Sequence, residues 1–251
     1  MLRIEHVDSY RPPPWLRSAH VQSILPSSPL RELIVRRRAA EVIAASEQIL
    51  LDCGDGVRLL GLLASQAKRG FPPGERVAVL LHGWEGSAES LYVLALAQRL
   101  FDRGYEVIRL NLRDHGPTHH LNRDLFHSCR LPEVIGATRS IQQRHPGRPL
   151  HLVGWSLGGN FQLRVAARAA AEGLQVARVV AVSPVLDPRR TMHELEHGLW
   201  IYHEYFVRKW TASLDRKQAA WPGVYDFGAL ERVRSLQHMT AELVSRHTEY
   251  P

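Results

Sequence analysis

The sequence predicts an α/β protein: a mostly parallel sheet of about six strands with helices on its faces, followed by a helical cap. Three observations carry that expectation. Short apolar runs recur at 76–82, 105–112, 149–155 and 176–184, a pattern suited to strands covered on both faces. Helix-forming stretches separate them, so successive strands are joined by crossovers and run parallel. After Asp187 the strand pattern stops, and residues 188–250 are helix-prone, aromatic and charged.

Taken in order, residues 1–46 are rich in Pro and Arg and read as an irregular segment wrapping the domain, with RPPPW and ILPSSP as extended or turn stretches. EQILLDC and VRLLGLLA are two strands around Gly54-Asp55-Gly56, a hairpin signal. RVAVLLH (76–82) is a buried strand. Residues 87–103 are helical, with Leu91, Leu94, Ala95 and Leu100 on one side and Gly104 as the stop. YEVIRLNL (105–112) is a strand, followed by a His/Asn/Asp loop to about Ser128. Residues 132–144 are helical, PLHLVGW (149–155) is a strand, 157–172 an Ala-rich helix and VARVVAVSP (176–184) a strand. The segments are then a wrap (1–46), an α/β core (47–187) and a cap (188–251). The cap, broken by Pro222-Gly223, is expected over the strand C-termini, where open α/β sheets bind ligands. Its Trp200, Tyr202, Tyr205, Phe206 and Trp210 suggest either an apolar, acyl-binding face or aromatics that simply pack the cap onto the domain.

The chain has 251 residues, 45% hydrophobic and 23% charged, which is a globular composition able to bury a core without disulfides or metals. Lys and Arg number 32 and Asp and Glu 25, a net charge of +7. The cations are dispersed, Arg36-Arg37-Arg38 being the only run of three, and no basic stripe interleaved with aromatics is present. Nucleic acid is therefore not the expected partner. Cys53 and Cys129 lack metal-type spacing and suit a reducing compartment. The first 20 residues lack the apolar core of a signal peptide, and no run of 18 apolar residues exists. The expectation is a cytoplasmic protein without a transmembrane segment.

The sharpest motif is Gly154-Trp155-Ser156-Leu157-Gly158-Gly159, where a buried strand meets a helix. A tight strand-turn-helix elbow needs small residues around its serine, and it holds the hydroxyl at a helix N-terminus that favours developing negative charge. A second motif, His82-Gly83-Trp84-Glu85-Gly86-Ser87, ends the first long strand. Acyl transfer needs two backbone N–H groups aimed at one oxyanion, and Leu157 and Trp84 are the candidates for them.

With these residues in view the chain resembles the YheT-like α/β-hydrolases, related to abhydrolase-domain esterases. The matching pieces are SAHVQSILP (18–26), LHGWEGSAES (81–90), NLRDHG with Asn122 and FHSC (111–129), GWSLGGN (154–160), and VSPVLD with MHELEHG (182–198). The resemblance implies a serine hydrolase of small-molecule carboxylic esters, acylglycerols included, that needs no cofactor or metal. Ser156 would be the nucleophile, and the amides of Trp84 and Leu157 would form the oxyanion hole.

The family's acid and base follow a seventh and an eighth strand, which would need about 60 further residues. The chain therefore reads as C-terminally truncated, with the last two strands missing and the triad acid and base unlocated. Asp187, after the sixth strand, is a candidate acid, set against its reading as a turn former before Pro188. The histidines after Ser156 read as surface or packing residues. A sixth strand left as an open apolar edge predicts self-association. One alternative is an inactive remnant or binding module on the hydrolase scaffold. Another is a zinc hydrolase using His193, Glu194 and His197, since H-E-x-x-H on a helix places two imidazoles on one face. Asp114, His115, His119, His120 and His127 form a second polar cluster; a metal site is one reading, and a loop beside the site without a catalytic part is the expected one.

Overall fold

Strands buried on both faces need helices on both sides, and the computed structural model, which describes residues 11–230 and 233–248, has that arrangement. Residues 1–10 of the expected wrap, and 231–232 and 249–251 of the cap, lie outside the described residues. The elements run α1 (Ala19–Ile24), α2 (Pro29–Arg38), α3 (Ala40–Ala44), β1 (Ser46–Asp52), β2 (Arg58–Ala64), β3 (Arg76–Leu81), α4 (Leu91–Phe101), β4 (Tyr105–Leu110), α5 (Leu131–Arg144), β5 (Leu150–Trp155), α6 (Leu157–Arg168), β6 (Val176–Val182), α7 (Pro188–His197), α8 (Trp200–Ala220) and α9 (Leu236–His247).

The six strands are ordered β1-β2-β4-β3-β5-β6. β1, β2 and β4 pair antiparallel, and β4, β3, β5 and β6 pair parallel. β3 is the centre: the chain passes from it to β4 on one side and later returns to β5 on the other. Such a switch in direction opens a crevice at the strand C-termini. The register pairs Leu81 with Gly154, so the ends of β3 and β5 lie side by side there.

Alternation along β3 divides the core between the faces. Val77, Val79 and Leu81 pack with Val134 and Ile141 of α5 and Phe161 and Val165 of α6. Ala78 and Leu80 pack with Val93, Leu94, Ala97 and Phe101 of α4 and with Val35 and Val42 of the N-terminal helices. A smaller core of Leu125, Leu214, Phe227, Leu230, Met239 and Leu243 holds α8 and α9 over the loop after β4.

Two sequence expectations need correction. The segment before β1 is largely helical. Ser18 and Ser28 accept capping bonds from Val21 and Arg31, Pro29 sits in the first turn of α2, and Val35, Ala39 and Val42 bury one face at helical spacing. The helix expected over 87–103 begins only at Leu91, because residues 83–90 form a loop held from β4. Its buried face is Val93, Leu94, Ala97 and Phe101, while Leu91, Ala95 and Leu100 are only half-buried.

Candidate active site

The turn from β5 into α6 is the tightest in the fold. Ser156 has φ +50°, a left-handed conformation that costs a residue with a side chain about 1–3 kcal/mol. It is held by backbone bonds to the end of β6: Ser156 N–H donates to Val182 O (3.0 Å) and Val185 N–H to Ser156 O (3.3 Å). The glycines around it are required sterically. A methyl at Gly154 would collide with the Gly158 carbonyl, and one at Gly158 with the carbonyls of His82 and Leu81. A methyl at Gly83 would sit 3.2 Å from Ser156 Cβ. The serine side chain is exposed at the mouth of the crevice, its hydroxyl without a hydrogen-bond partner among the described residues.

The loop after β3 is fixed from several sides. His82 is fully buried. Its Nδ1–H donates to Gly83 O (2.7 Å), while Nε2 accepts from Leu112 N–H (3.2 Å). Burial, then the neighbouring His115, lowers its pKa to about 3, so the ring stays neutral with both nitrogens engaged. Gly83 N–H donates to the Tyr92 hydroxyl (3.1 Å), Ala88 N–H to Asn111 Oδ1 (2.9 Å), and buried Arg109 bonds Ala88 O (2.9 Å) and Glu89 (2.6 Å). These bonds leave the Trp84 amide without a partner among the described residues, as is Leu157 N–H in the first turn of α6. An accessible hydroxyl beside two unengaged amides and the positive end of a helix is the arrangement acyl transfer requires.

Helix α8 is clamped onto the loop after β4. Lys217 Nζ donates to Asp114 Oδ1 (2.8 Å), Asn122 O (2.6 Å) and Asp124 O (3.2 Å). Ser213 Oγ lies 2.9 Å from His119 Nε2 and donates to Asp114 O (3.2 Å), and Trp221 Nε1–H donates to His119 O (2.8 Å). Asp114, at φ +56°, also accepts from Phe126 N–H (2.8 Å). Burial pushes its carboxyl up to about 6 against the pull of Lys217. His115 donates from Nδ1 to Arg113 O (2.6 Å), and its Nε2 is buried without a partner. Burial lowers the pKa values of His115, His119 and His127 to about 4 each, so all three are neutral at pH 7. His120 is exposed beside them.

Ser156 stands where two cavities meet. The first, about 700 Å³, is lined mainly by apolar groups, among them Leu125, Phe126, Leu157, Met192, Leu195, Phe206, Trp210 and Leu214. The second, about 530 Å³, is polar and takes in Glu85, Ser87, Tyr205, Lys209 and Arg216. Trp84, Glu85, Asp114, His115, Ser156 and Phe206 line both. Trp84 stacks on Phe206 at 5.1 Å and meets the edge of Trp210 at 5.1 Å, joining the loop after β3 to the cap. Glu85 has φ +54°. Burial raises its pKa to about 8, although Arg216 and Lys209 oppose the shift.

The other residues singled out in the sequence lie elsewhere. Asp187 is exposed, and its carboxylate caps α7 by accepting from Arg190 N–H (3.0 Å). His193 and His197 stack on exposed α7 at 4.5 Å. No group of three or more His, Cys, Asp or Glu able to hold a metal ion occurs among the described residues. Of the cap aromatics, Phe206 and Trp210 reach the apolar cavity and Tyr205 the polar one. Trp200 is 71% exposed, and the Tyr202 hydroxyl meets His20 Nδ1 (3.1 Å) in the N-terminal segment. Fewer cap aromatics therefore face the cavities than the sequence suggested. Sequence reasoning missed Glu85, Lys209, Arg216, Ser213 and Lys217. The helical period of α8 carried a signal, since 205, 209 and 216 form one stripe and 206, 210, 213 and 217 the next.

Comparison with known proteins bears out the fold. Residues 77–220 match the family model described as the alpha/beta hydrolase fold. YheT of Escherichia coli (strain K12), provisionally named an esterase, is 29% identical over 174 residues, 67% of this chain and 50% of that protein. The pimeloyl-[acyl-carrier protein] methyl ester esterase of Nitrosomonas europaea is 30% identical over 143 residues, 55% of this chain and 50% of that protein. The chain thus spans about half the length of these two curated relatives. Among solved structures, a Pyrococcus furiosus esterase superposes with a TM-score of 0.50 at 18% identity, covering 68% of this chain and 62% of its own. No helix among the described residues is long and apolar enough to cross a membrane.

Proposed function

The chain belongs to the α/β-hydrolase family, and from that membership and the setting of Ser156 we propose that it hydrolyses carboxylic esters through an acyl-serine. The observation that carries the reading is Ser156 itself: a strained, accessible serine between β5 and α6, at the seam of two cavities and beside two unengaged amides. Relatives named as esterases support the choice of substrate bond.

In this reading the acyl chain lies in the apolar cavity, with carboxylic esters, acylglycerols included, as candidate substrates. Ser156 Oγ attacks the ester carbonyl. The carbonyl oxygen, gathering negative charge, takes hydrogen bonds from the Trp84 and Leu157 amides, and the positive end of α6 adds to their effect. The C–O bond to the alcohol breaks, the alcohol leaves with a proton, and water then releases the acid and restores the hydroxyl. The loop bearing Trp84 is stiffened by His82, Tyr92, Asn111 and Arg109, so the amides are set before the substrate arrives.

A second reading, an ester-binding scaffold without turnover, is favoured by one observation: among the described residues no imidazole or carboxylate is bonded to the Ser156 hydroxyl, and a serine without a base is a poor nucleophile. Intact-mass detection of a fluorophosphonate adduct separates the two, with Ser156→Ala as control. Rapid labelling that the substitution abolishes supports the acyl-serine reading. Folded protein that takes no label supports the scaffold.

A further inference from the structure

Charged side chains line much of the polar cavity, and most of them are already paired. Glu32 bonds Arg36 (2.9 Å), Glu89 bonds Arg109 (2.6 Å) and Asp114 bonds Lys217 (2.8 Å). Lys209 and Arg216 remain, and neither makes an ion pair among the described residues. They lie two turns apart on the stripe of α8 that faces this cavity. Both act on the Glu85 carboxyl, whose pKa burial nonetheless raises to about 8, so that its neutral form predominates at pH 7. It therefore does not neutralise them, and in that form it is itself a hydrogen-bond donor. The cavity offers two cations and a donor, with Ser156 in its lining.

We propose that the polar cavity formed by Lys209, Arg216, Glu85 and the loop at Gly83 binds an anionic head group on the alcohol side of the substrate. The scissile ester then joins an acyl chain in the apolar cavity to an anionic alcohol. Placing the ester at Ser156 rests on the acyl-serine reading; the head-group site does not. The two cavities meet at Ser156, so an amphiphile with an apolar tail and a charged head fits with its junction at the hydroxyl. Arg216 can grip a phosphate or carboxylate in a bidentate manner, and Lys209 adds a point charge.

A binding titration tests this without turnover. Decyl phosphate, undecanoate and 1-decanol, each below its micelle threshold, are titrated against the tryptophan fluorescence of the whole chain. Trp84→Phe verifies that the signal arises at the cavity seam. One or both anions bind about tenfold more tightly than decanol, the size expected for hydrogen bonds to a charged group. The preference shrinks with added salt, and the tighter anion identifies the head group. In the Lys209→Gln/Arg216→Gln double variant the ratio falls towards one, and circular dichroism checks that the variant is folded. Equal affinity for all three ligands in the unmodified chain, or an anion preference that survives the double substitution, overturns the proposal. Fluorophosphonate labelling with no anion preference removes this inference alone, and an anion preference without labelling removes the acyl-serine reading alone.

Discussion

Replacing Lys217 by Met keeps the aliphatic stem and removes the ammonium that ties α8 to the loop after β4. Three hydrogen bonds go at once, and Asp114, 6% exposed, loses the one cation within ion-pair distance of it among the described residues. Breaking a buried pair from one side costs about 3–5 kcal/mol. The cost depends on pH with a definite sign. The Asp114 carboxyl already titrates at about 6 in the folded chain, above its ordinary value, so its ionisation lowers stability as pH rises between those values. Lys217 is the largest influence holding that value down; Arg113 and the Phe126 amide are weaker, and Glu85 and His115 supply no cation. Without Lys217 the folded value climbs and the destabilising window extends above pH 6. At pH 5 Asp114 is protonated in both proteins, and only the lost hydrogen bonds remain, about 1–3 kcal/mol. At about 2–4 °C per kcal/mol for a chain of this size, Tm falls by about 10 °C at pH 8 and by about half that at pH 5. Differential scanning calorimetry at the two pH values is the assay. A deficit that is the same at both, or below about 2 °C at pH 8, would show that Asp114 is not the group left uncompensated.

Two other outcomes follow from geometry already described. Gly158→Ala drives a methyl into the carbonyls of His82 and Leu81, an overpacking worth about 1–3 kcal/mol; Tm drops by several degrees and labelling of Ser156 slows, and a variant as stable and reactive as the parent contradicts the contact. The β6 edge away from β5 is unpaired among the described residues, with Val180 52% and Val182 41% exposed. We expect concentration-dependent self-association in sedimentation velocity, relieved by Val180→Lys with Val182→Lys, and a single monomeric species at all concentrations sinks that expectation.

The sheet was legible because strands covered on both faces leave unbroken apolar runs, and RVAVLLH and PLHLVGW have no other economical reading. The Ser156 turn was legible because its steric demands force glycine at 154 and 158. Before β1, prolines at 12, 13, 14, 26 and 29 masked the helical spacing of Val35, Ala39 and Val42, although Pro29 starts a helix. The start of α4 was misplaced because Asn111 and Arg109, distant in sequence, hold residues 87–90 in a loop. The polar cavity was not legible as a site. Glu85 and Arg216 meet only through tertiary packing, and a carboxyl's protonation state depends on burial that composition does not record.

The seam at Ser156 also bears on what happens after the bond breaks. In the proposed reading, acyl chain and alcohol would lodge in separate compartments that share only a few walls. On cleavage through an acyl-serine the alcohol can diffuse out through the polar compartment while the acyl chain stays anchored by its apolar surroundings. The vacated space then admits either water or a second alcohol. The ratio of acid to new ester formed in the presence of added alcohols therefore becomes a property of the Lys209–Arg216 compartment, separable from the acyl preference set on the other side of the serine.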